Sequence, residues 1–411
     1  MSRIEELVKE KCPDGVEYKP LYEVTTWDKN FKGVEKNKQP KVIKYSVMLA
    51  ADLFALEQAE GDVFLLSTGE QTGWTTEELA GDNISEGEVV TIPWGKSRKV
   101  VDCIKYYKGK FVTGDNRIMT SNNLNQLDNK YLYYCILSKG DVIDTFYRGA
   151  GIQHPDMYSM LNLEIPIPPI EVQQEIVCIL DKFTELEAEL QAELDARKKQ
   201  YIAVSDSFFD NEVERINITE IADTYIGLVT TMTKHYVPEG VPLIYNSNIK
   251  ENRFQFSEMT YLDQSFANKN ESRKHQLKDI VTVHTGDVGT SAIIEDELVG
   301  SLGFATIVTR VKDKSQFLPE YVCYYLNSAD NKRNIARMIK SDRSNLNLKD
   351  FNRLMIPVYD VDTQKRIVQI LSKFHEISVD AVAGLPAEIE ARHKQYEYYR
   401  DKLLTFERKV V

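Results

Sequence analysis

From Glu171 to Phe209 the chain alternates apolar and polar positions with a helical period. Ile176, Ile179, Phe183, Leu186, Leu190, Leu194, Tyr201, Val204 and Phe208 recur at steps of three, four or seven, and acidic and Lys/Arg residues fill the other face. No Gly or Pro interrupts the run, so the pattern predicts a rod of roughly 55–60 Å. Pro168 and Pro169 block helix before it. A second helical pattern spans Thr363 to about Phe406, and Gly384 and Pro386 predict a break into two pieces, with Pro386 in the first turn of the second. An antiparallel coiled-coil pair would bury both apolar stripes; the alternative is that each helix packs on its own domain. Elsewhere the pattern changes to short β-rich runs between turn residues: Asp62–Leu66, Glu88–Ile92, Ile280–Val283 and Ala305–Val311. Tyr131–Ser138 and Tyr321–Ser328 read as short amphipathic helices.

These elements occur twice. Ile165 opens IPIPPIEVQQEIVCILDKF and Ile356 opens IPVYDVDTQKRIVQILSKF, with nine identities over 19 positions at an offset of 191. Upstream, EVVTIPWG (Glu88–Gly95) matches DIVTVHTG (Asp279–Gly286), and YLYYCILS from Tyr131 parallels YVCYYLNS from Tyr321. VEYKPLYEV from Val16 lines up loosely with VERINITEI from Val213. Downstream, ARKKQY from Ala196 matches ARHKQY from Ala391 at an offset of 195, which places four extra residues near Gly384-Leu385-Pro386. The chain is a tandem duplication. The fold class expected is α+β: two β-rich domains with short helices, related by an internal pseudo-two-fold repeat and joined by long helices paired as an antiparallel coiled coil. The expected boundaries are residues 1–165 for the first domain, 166–212 for the first helical region, 213–356 for the second domain and 357–411 for the second helical region.

A net charge of −12 argues against nucleic-acid binding only until its distribution is read. Residues 171–212 hold eleven acidic against four basic residues, so more than half of the excess lies in one segment, most of it the predicted helix. Residues 213–359 are balanced and leave room for a basic face. The five cysteines (Cys12, Cys103, Cys135, Cys178, Cys323) are odd in number and form no CxxC pair, which argues against a disulfide framework or a zinc site. No apolar run approaches the roughly 18 residues of a membrane span, and MSRIEELVKEKCPDG lacks the apolar stretch of a secretory signal. The expectation is a soluble, cytoplasmic protein with no membrane partner.

Catalytic motifs fail on inspection. Gly95-Lys96-Ser97 ends like a phosphate loop, but the glycine it requires is Val90. PDGVEYK from Pro13 echoes a nuclease carboxylate set without a second acidic cluster. The prolines of IPIPPI lack the Asn and aromatic residue of an amino-methyltransferase motif, no HExxH occurs, and Gly149-Ala150-Gly151 is a lone GxG. No enzyme activity, metal or cofactor is expected on this chain.

IPIPPIEVQQEIVCILDKF, the following ELDARKKQY, the closing IEARHKQYEYYRDKLLTF and the opening CPDGVEYKPLYEV together resemble the specificity subunits of type I restriction-modification systems. The resemblance runs over the whole chain, twice and in order. It implies that each variable half is a target recognition domain reading one half of a split, asymmetric double-stranded DNA sequence. The repeated helices would fix the half-site spacing and dock two methyltransferase (modification) subunits, to which motor-nuclease subunits would add. Adenine methylation, ATP hydrolysis and cleavage, with S-adenosylmethionine, ATP and magnesium, would belong to those partners. The Gly384-Leu385-Pro386 break departs from the plainest pattern. It leaves the spacer length open, because one helical turn of about 5.4 Å compares with about 34 Å per DNA turn.

A DNA face needs Lys/Arg for phosphates, and amides, hydroxyls and Arg for base edges. Three loop pairs fit. Trp94–Arg98 matches His284–Thr290, and Arg148–Gln153 matches Lys340–Asn345; Ser67–Trp74 and Asn270–His275 are not aligned with one another. The candidates are Thr68, Gln71, Trp74, Lys96, Ser97, Arg98, Arg148 and Gln153 in the first half, and Arg273, Lys274, Thr285, Asp287, Thr290, Arg343 and Asn345 in the second. Solvated β-turns are the bland reading of the same residues. Lys29, Lys32, Lys36, Lys38, Lys41 and Lys44 form a basic run that suits either phosphates or solvent. Tyr396, Tyr398 and Tyr399 suit packing between helices or against a partner subunit. Two competing functions remain: a coiled-coil structural scaffold without sequence-specific DNA binding, and a self-contained nuclease or methyltransferase, which the missing motifs oppose.

Overall fold

The computed structural model describes residues 3–69, 72–209, 212–339, 345–378 and 384–409. The chain divides into two units, Met1–Glu189 with Glu390–Val411, and Leu190–Ile389.

Unit 1 begins with β1 (Tyr18–Pro20), which pairs antiparallel with β8 (Glu164–Pro166). Between them lie β2 (Thr25–Trp27), β3 (Val63–Leu66), β4 (Gly73–Thr75), β5 (Ser85–Pro93), β6 (Lys105–Thr113) and β7 (Asn116–Ser121), in a six-stranded sheet of order β2-β7-β5-β6-β3-β4. Val90, Ile92 and Met119 of the sheet pack in one core with Leu132, Cys135 and Ile136 of helix α1 (Asn129–Ser138). Asp128 caps α1, its carboxylate accepting from the amides of Lys130 and Tyr131.

Unit 2 repeats the scheme with β9 (Arg215–Asn217), β10 (Ala222–Ile226), β11 (Tyr236–Val237), β12 (Val241–Ile244), β13 (Thr260–Leu262), β14 (Ile280–Thr282), β15 (Ser291–Ile293), β16 (Leu302–Gly303), β17 (Ile307–Val311) and β18 (Met355–Pro357). β9 pairs with β18 as β1 does with β8. The order β10-β17-β14-β15 copies β2-β7-β5-β6, but β11-β13-β12-β16 stands as a separate sheet.

The two short helices are not amphipathic as expected. Six residues of α1, and eight of the nine in its counterpart Pro319–Asn327, are buried. Each lies between its sheet and a spacer helix, so tyrosine rings fill both faces and their hydroxyls bond at the far ends. Tyr131 and Tyr321 donate to the carbonyls of Pro166 and Pro357, and Tyr134 donates to Asp181.

The first spacer helix, α2, runs unbroken over 40 residues, Ile170–Phe209. Its start buries Val172, Ile176 and Leu180 in the core of unit 1, and its end buries Tyr201 and Phe209 in that of unit 2. The second copy is two helices, α3 (Val361–Ser378) and α4 (Leu385–Leu403), with Pro386 in the first turn of α4; residues 379–383, beside the four-residue insertion, lie outside the described residues. Ile367 and Leu371 of α3 join the core of unit 2. In unit 1, α4 runs antiparallel to α2: Phe183 meets Tyr399 at 5.5 Å and Tyr396 at 6.5 Å, and Glu187 meets His393 at 3.4 Å. Both expected modes therefore occur, because each spacer copy starts on its own domain and ends in the other unit. One glutamine secures each start. Fully buried Gln173 donates to the carbonyls of Gln126 and Pro168 and accepts from the amide of Asp128. Gln364 does the same with Gln316, Tyr359 and Leu318.

Candidate nucleic-acid interface

Strand register gathers loops at one end of each main sheet. In unit 1, β5 ends with Pro93 opposite Asn116, the first residue of β7, and β2 ends with Trp27 opposite Met119. β3 ends with Leu66 beside Thr113, the last residue of β6. The segments after β2, β3 and β5, and the β6–β7 turn, therefore share one edge. The 148–153 loop is tied to it: the Lys96 and Gln153 amides each donate to the other's carbonyl at 2.9 Å. Gly149 makes that loop possible, because at φ +144° a Cβ would lie 2.7 Å from the Ile152 carbonyl oxygen.

Unit 2 builds the same edge. Ile226, ending β10, and Thr282, ending β14, both face Ile307, the start of β17. Asn246, just past β12, bonds the amide of His284 through Oδ1 (2.8 Å) and the carbonyl of Ala305 through Nδ2 (3.1 Å). Thr285 is bridged antiparallel to Asn345. The two aligned loop pairs read from the sequence thus meet within each unit, at Lys96·Gln153 and at Thr285·Asn345.

The candidates differ in what their side chains are free to do. Ser97, Arg98 and Arg148 are exposed on the edge, and Gln153 is half-buried. Lys96 is not presented to solvent: its ammonium sits 2.7 Å from Asp144 and 5.0 Å from the centre of the Tyr147 ring, with 7% of the side chain exposed. Thr68 is half-buried beside Gly114. Trp74 lies on the edge strand β4 against Phe64, three strand spacings from β5, or about 14 Å across the sheet. In unit 2, Thr285, Asp287 and Asn345 are exposed, whereas Thr290 is buried and donates to Asp287 at 2.8 Å. Arg273 donates to the carbonyls of Ile226 (2.5 Å) and Gly227 (2.7 Å), and Lys274 pairs with Glu271 at 2.6 Å. Gln71 and Arg343, with Lys340, Ser341, Asp342 and Ser344, lie outside the described residues. In the basic run, Lys29 faces Asp115 and Lys38 is half-buried between Tyr22 and Tyr158, while Lys32, Lys36, Lys41 and Lys44 are exposed. Tyr396 and Tyr399 pack on Phe183, and Tyr398 is exposed.

Supports for the edge were missed in the sequence. The Arg117 guanidinium lies 3.8 Å from the centre of the Trp94 ring and pairs with Asp115 at 2.9 Å. Lys105, its pKa pulled down to about 8 by burial, donates to the carbonyl and hydroxyl of Ser67 at 2.9 Å. No spacing rule links these residues, because their contacts arise across strands. The loop after β10 was also missed. It exposes Val229, Thr230 and Thr231 between buried Leu228 and Met232, with exposed Lys234 just beyond, and its only sequence signal is a threonine-rich run after a glycine.

Among the described residues, no group of three or more His, Cys, Asp or Glu side chains is placed to hold a metal ion, and no helix is long and apolar enough to cross a membrane. Two similar loop-bearing edges, each on its own sheet and joined through duplicated helices, define a modular recognition protein. The chain belongs to the type I restriction modification DNA specificity domain family, whose model matches residues 15–196 and 211–391. It is 29% identical to the EcoR124I/EcoR124II specificity subunit of Escherichia coli, over 97% of this chain and 96% of that protein. It is 28% identical to a putative type I restriction enzyme specificity subunit of Haemophilus influenzae, over 78% of this chain and 83% of that one. The crystal structure of a type I restriction-modification S subunit from M. genitalium shares the fold, with a TM-score of 0.59 at 15% identity over 95% of this chain and 96% of that one. The function is recognition of a DNA target within a restriction-modification complex, and the partner classes are DNA and the other subunits of that complex.

Proposed function

We propose that each unit reads one half of a split, asymmetric double-stranded DNA sequence through its loop edge, and that the chain is itself non-catalytic. The observation that carries this reading is the matched pair of loop ties, Lys96·Gln153 and Thr285·Asn345, at equivalent ends of two repeated sheets. In unit 1, Ser97, Arg98, Arg148 and Gln153 meet the DNA, and Lys96 positions their loops. In unit 2, Thr285, Asp287 and Asn345 do so, joined by Thr230 and Thr231, with Arg273 and Thr290 as supports. The spacer helices set the half-site distance and dock two modification subunits, which motor-nuclease subunits join. S-adenosylmethionine, ATP and magnesium act on those partners, and the complex works in the cytoplasm.

The test is adenine-methylation mapping of genomic DNA from cells expressing this chain with its cognate modification subunit, against cells lacking the chain. One new split motif, methylated on both strands, is the expected result. No new motif, with the complex assembled, would return the scaffold reading.

A further inference from the structure

The three most exposed large apolar side chains among the described residues are Leu49 (75%), Val229 (71%) and Ile152 (66%). Single apolar residues in water are common on any protein surface. These three, however, gather at the two loop edges, beside the polar residues proposed to meet DNA. We propose that they read thymine, Leu49 and Ile152 in one half-site and Val229 in the other. Each would pack on the C5-methyl group, which thymine alone among the DNA bases carries into the major groove. The inference rests on the loop edges as the DNA-reading surface and adds the base that they select.

Each side chain is held out by an anchored backbone. Leu49 follows Met48, whose amide donates to the carbonyl of Thr113 at the β6–β7 turn (2.9 Å), and the Leu49 carbonyl accepts from the amide of Leu53 (2.9 Å). Ile152 precedes Gln153, which ties its loop to Lys96. A Cβ on Gly95 would lie 2.7 Å from Ile152 Cγ2, so the bare backbone of Gly95 is the floor on which Ile152 stands. Val229 follows Leu228, whose amide donates to Gly303 (2.7 Å) and whose carbonyl accepts from Ala305 (2.8 Å). Leu228 and Met232, on either side of the exposed turn, are buried in the core of the smaller sheet. Ile and Val are also stiff at χ1, so ordering them against a base costs little side-chain entropy.

The neighbours favour a base edge over a gap between bases. Ile152 shares its edge with Ser97, Arg98, Arg148 and Gln153, and Val229 is followed by exposed Thr230 and Thr231. Guanidinium, amide and hydroxyl groups bond to base edges in the major groove, where thymine sets an O4 acceptor beside its methyl group. An apolar side chain flanked by donors matches that pair of features. The minor groove presents no methyl group, and apolar residues used there are wedges that unstack a base step.

The test is a binding titration of the assembled specificity–modification complex, at fixed salt, on duplexes carrying the motif found by methylation mapping. Each thymine of the half-sites, on either strand, is replaced singly by uracil, which removes only the methyl group. At least one uracil in each half-site is expected to weaken binding by about three- to fivefold, the worth of one buried methyl group. Leu49→Ser with Ile152→Ser should abolish that difference in one half-site alone, and Val229→Ser in the other alone. All three residues are exposed, so the substitutions leave folding intact. The proposal is overturned if a half-site lacks thymine, if no uracil weakens binding, if the difference survives in the variants, or if both sets of variants act on the same half-site. Weaker binding of the variants to every duplex, with the uracil effect kept, would mark wedges and overturn it as well. Arg148→Glu separates this failure from failure of the loop edges. It binds as the unaltered chain does if the edges do not touch DNA, and it weakens binding if they do but read no methyl group.

Discussion

The two units keep their joints and change their edges. Gln173 and Gln364 make the same three bonds to equivalent backbone groups, and Tyr131 and Tyr321 close the same turn on Pro166 and Pro357. The loop edges share strand order but not side chains. Unit 1 fixes its loops with charges, Lys96 on Asp144, Arg117 on Asp115 and Lys105 on Ser67. Unit 2 uses the amide of Asn246, Arg273 on two carbonyls, and an Arg310–Asp279 pair beneath. Under the proposed function, in which each joint docks the same kind of partner and each edge reads its own half-site, this division of constraint is the one expected.

The sharpest contrast is electrostatic. Arg310 bonds both oxygens of Asp279, whose side chain is 2% exposed, so Arg310→Met strands a buried charge and should cost unit 2 about 3–5 kcal/mol in chemical denaturation. Lys96→Met leaves Asp144 at 24% exposure, where water solvates it, and should cost unit 1 only about 1 kcal/mol. Equal losses would erase the contrast. The joints are expected to behave alike: Gln173→Leu and Gln364→Leu each leave three backbone groups unpaired and should each cost about 3–4 kcal/mol. Widely unequal values would break the equivalence of the joints.

Acid should separate the units next. Burial pushes His275 down to about 4 from 6.5. The unfolded chain takes up this proton first, so the stability it contributes is complete above pH 6.5 and is lost as pH falls toward 4, amounting to about 3 kcal/mol. Denaturation of His275→Asn across this range should lose that dependence; an unchanged slope would assign it to other groups. The smallest effect expected is at the rim. Arg148→Glu removes an exposed cation and should weaken DNA binding by about tenfold without altering stability, read by titration at fixed salt.

The repeated parts were the legible ones. A 3.6-residue period without Gly or Pro locates α2 almost to the residue, and Gly384 with Pro386 marks the start of α4. Offsets in the repeat also pair the loops that meet at Lys96·Gln153 and Thr285·Asn345. The roles of individual edge residues were less legible. Lys96 looks like a phosphate ligand in sequence, but Asp144, 48 positions later, claims its charge. Trp74 looks like a loop tip but ends a sheet, because in β4 it pairs with Phe64, ten residues upstream in β3. Such outcomes depend on cross-strand neighbours, which a local pattern does not encode. The split of the second sheet was likewise invisible, since β12 and β3 have the same alternation and differ only in the partner they find.

The most direct test of the account maps the methylation motif produced by Thr285→Ala with Asn345→Ala, beside that of the unaltered chain and the same modification subunit. Both residues are exposed on the edge of unit 2. The account predicts relaxed or changed bases in one half of the motif, with the other half and the spacer intact. Changes in both halves, or in the spacer alone, would contradict it.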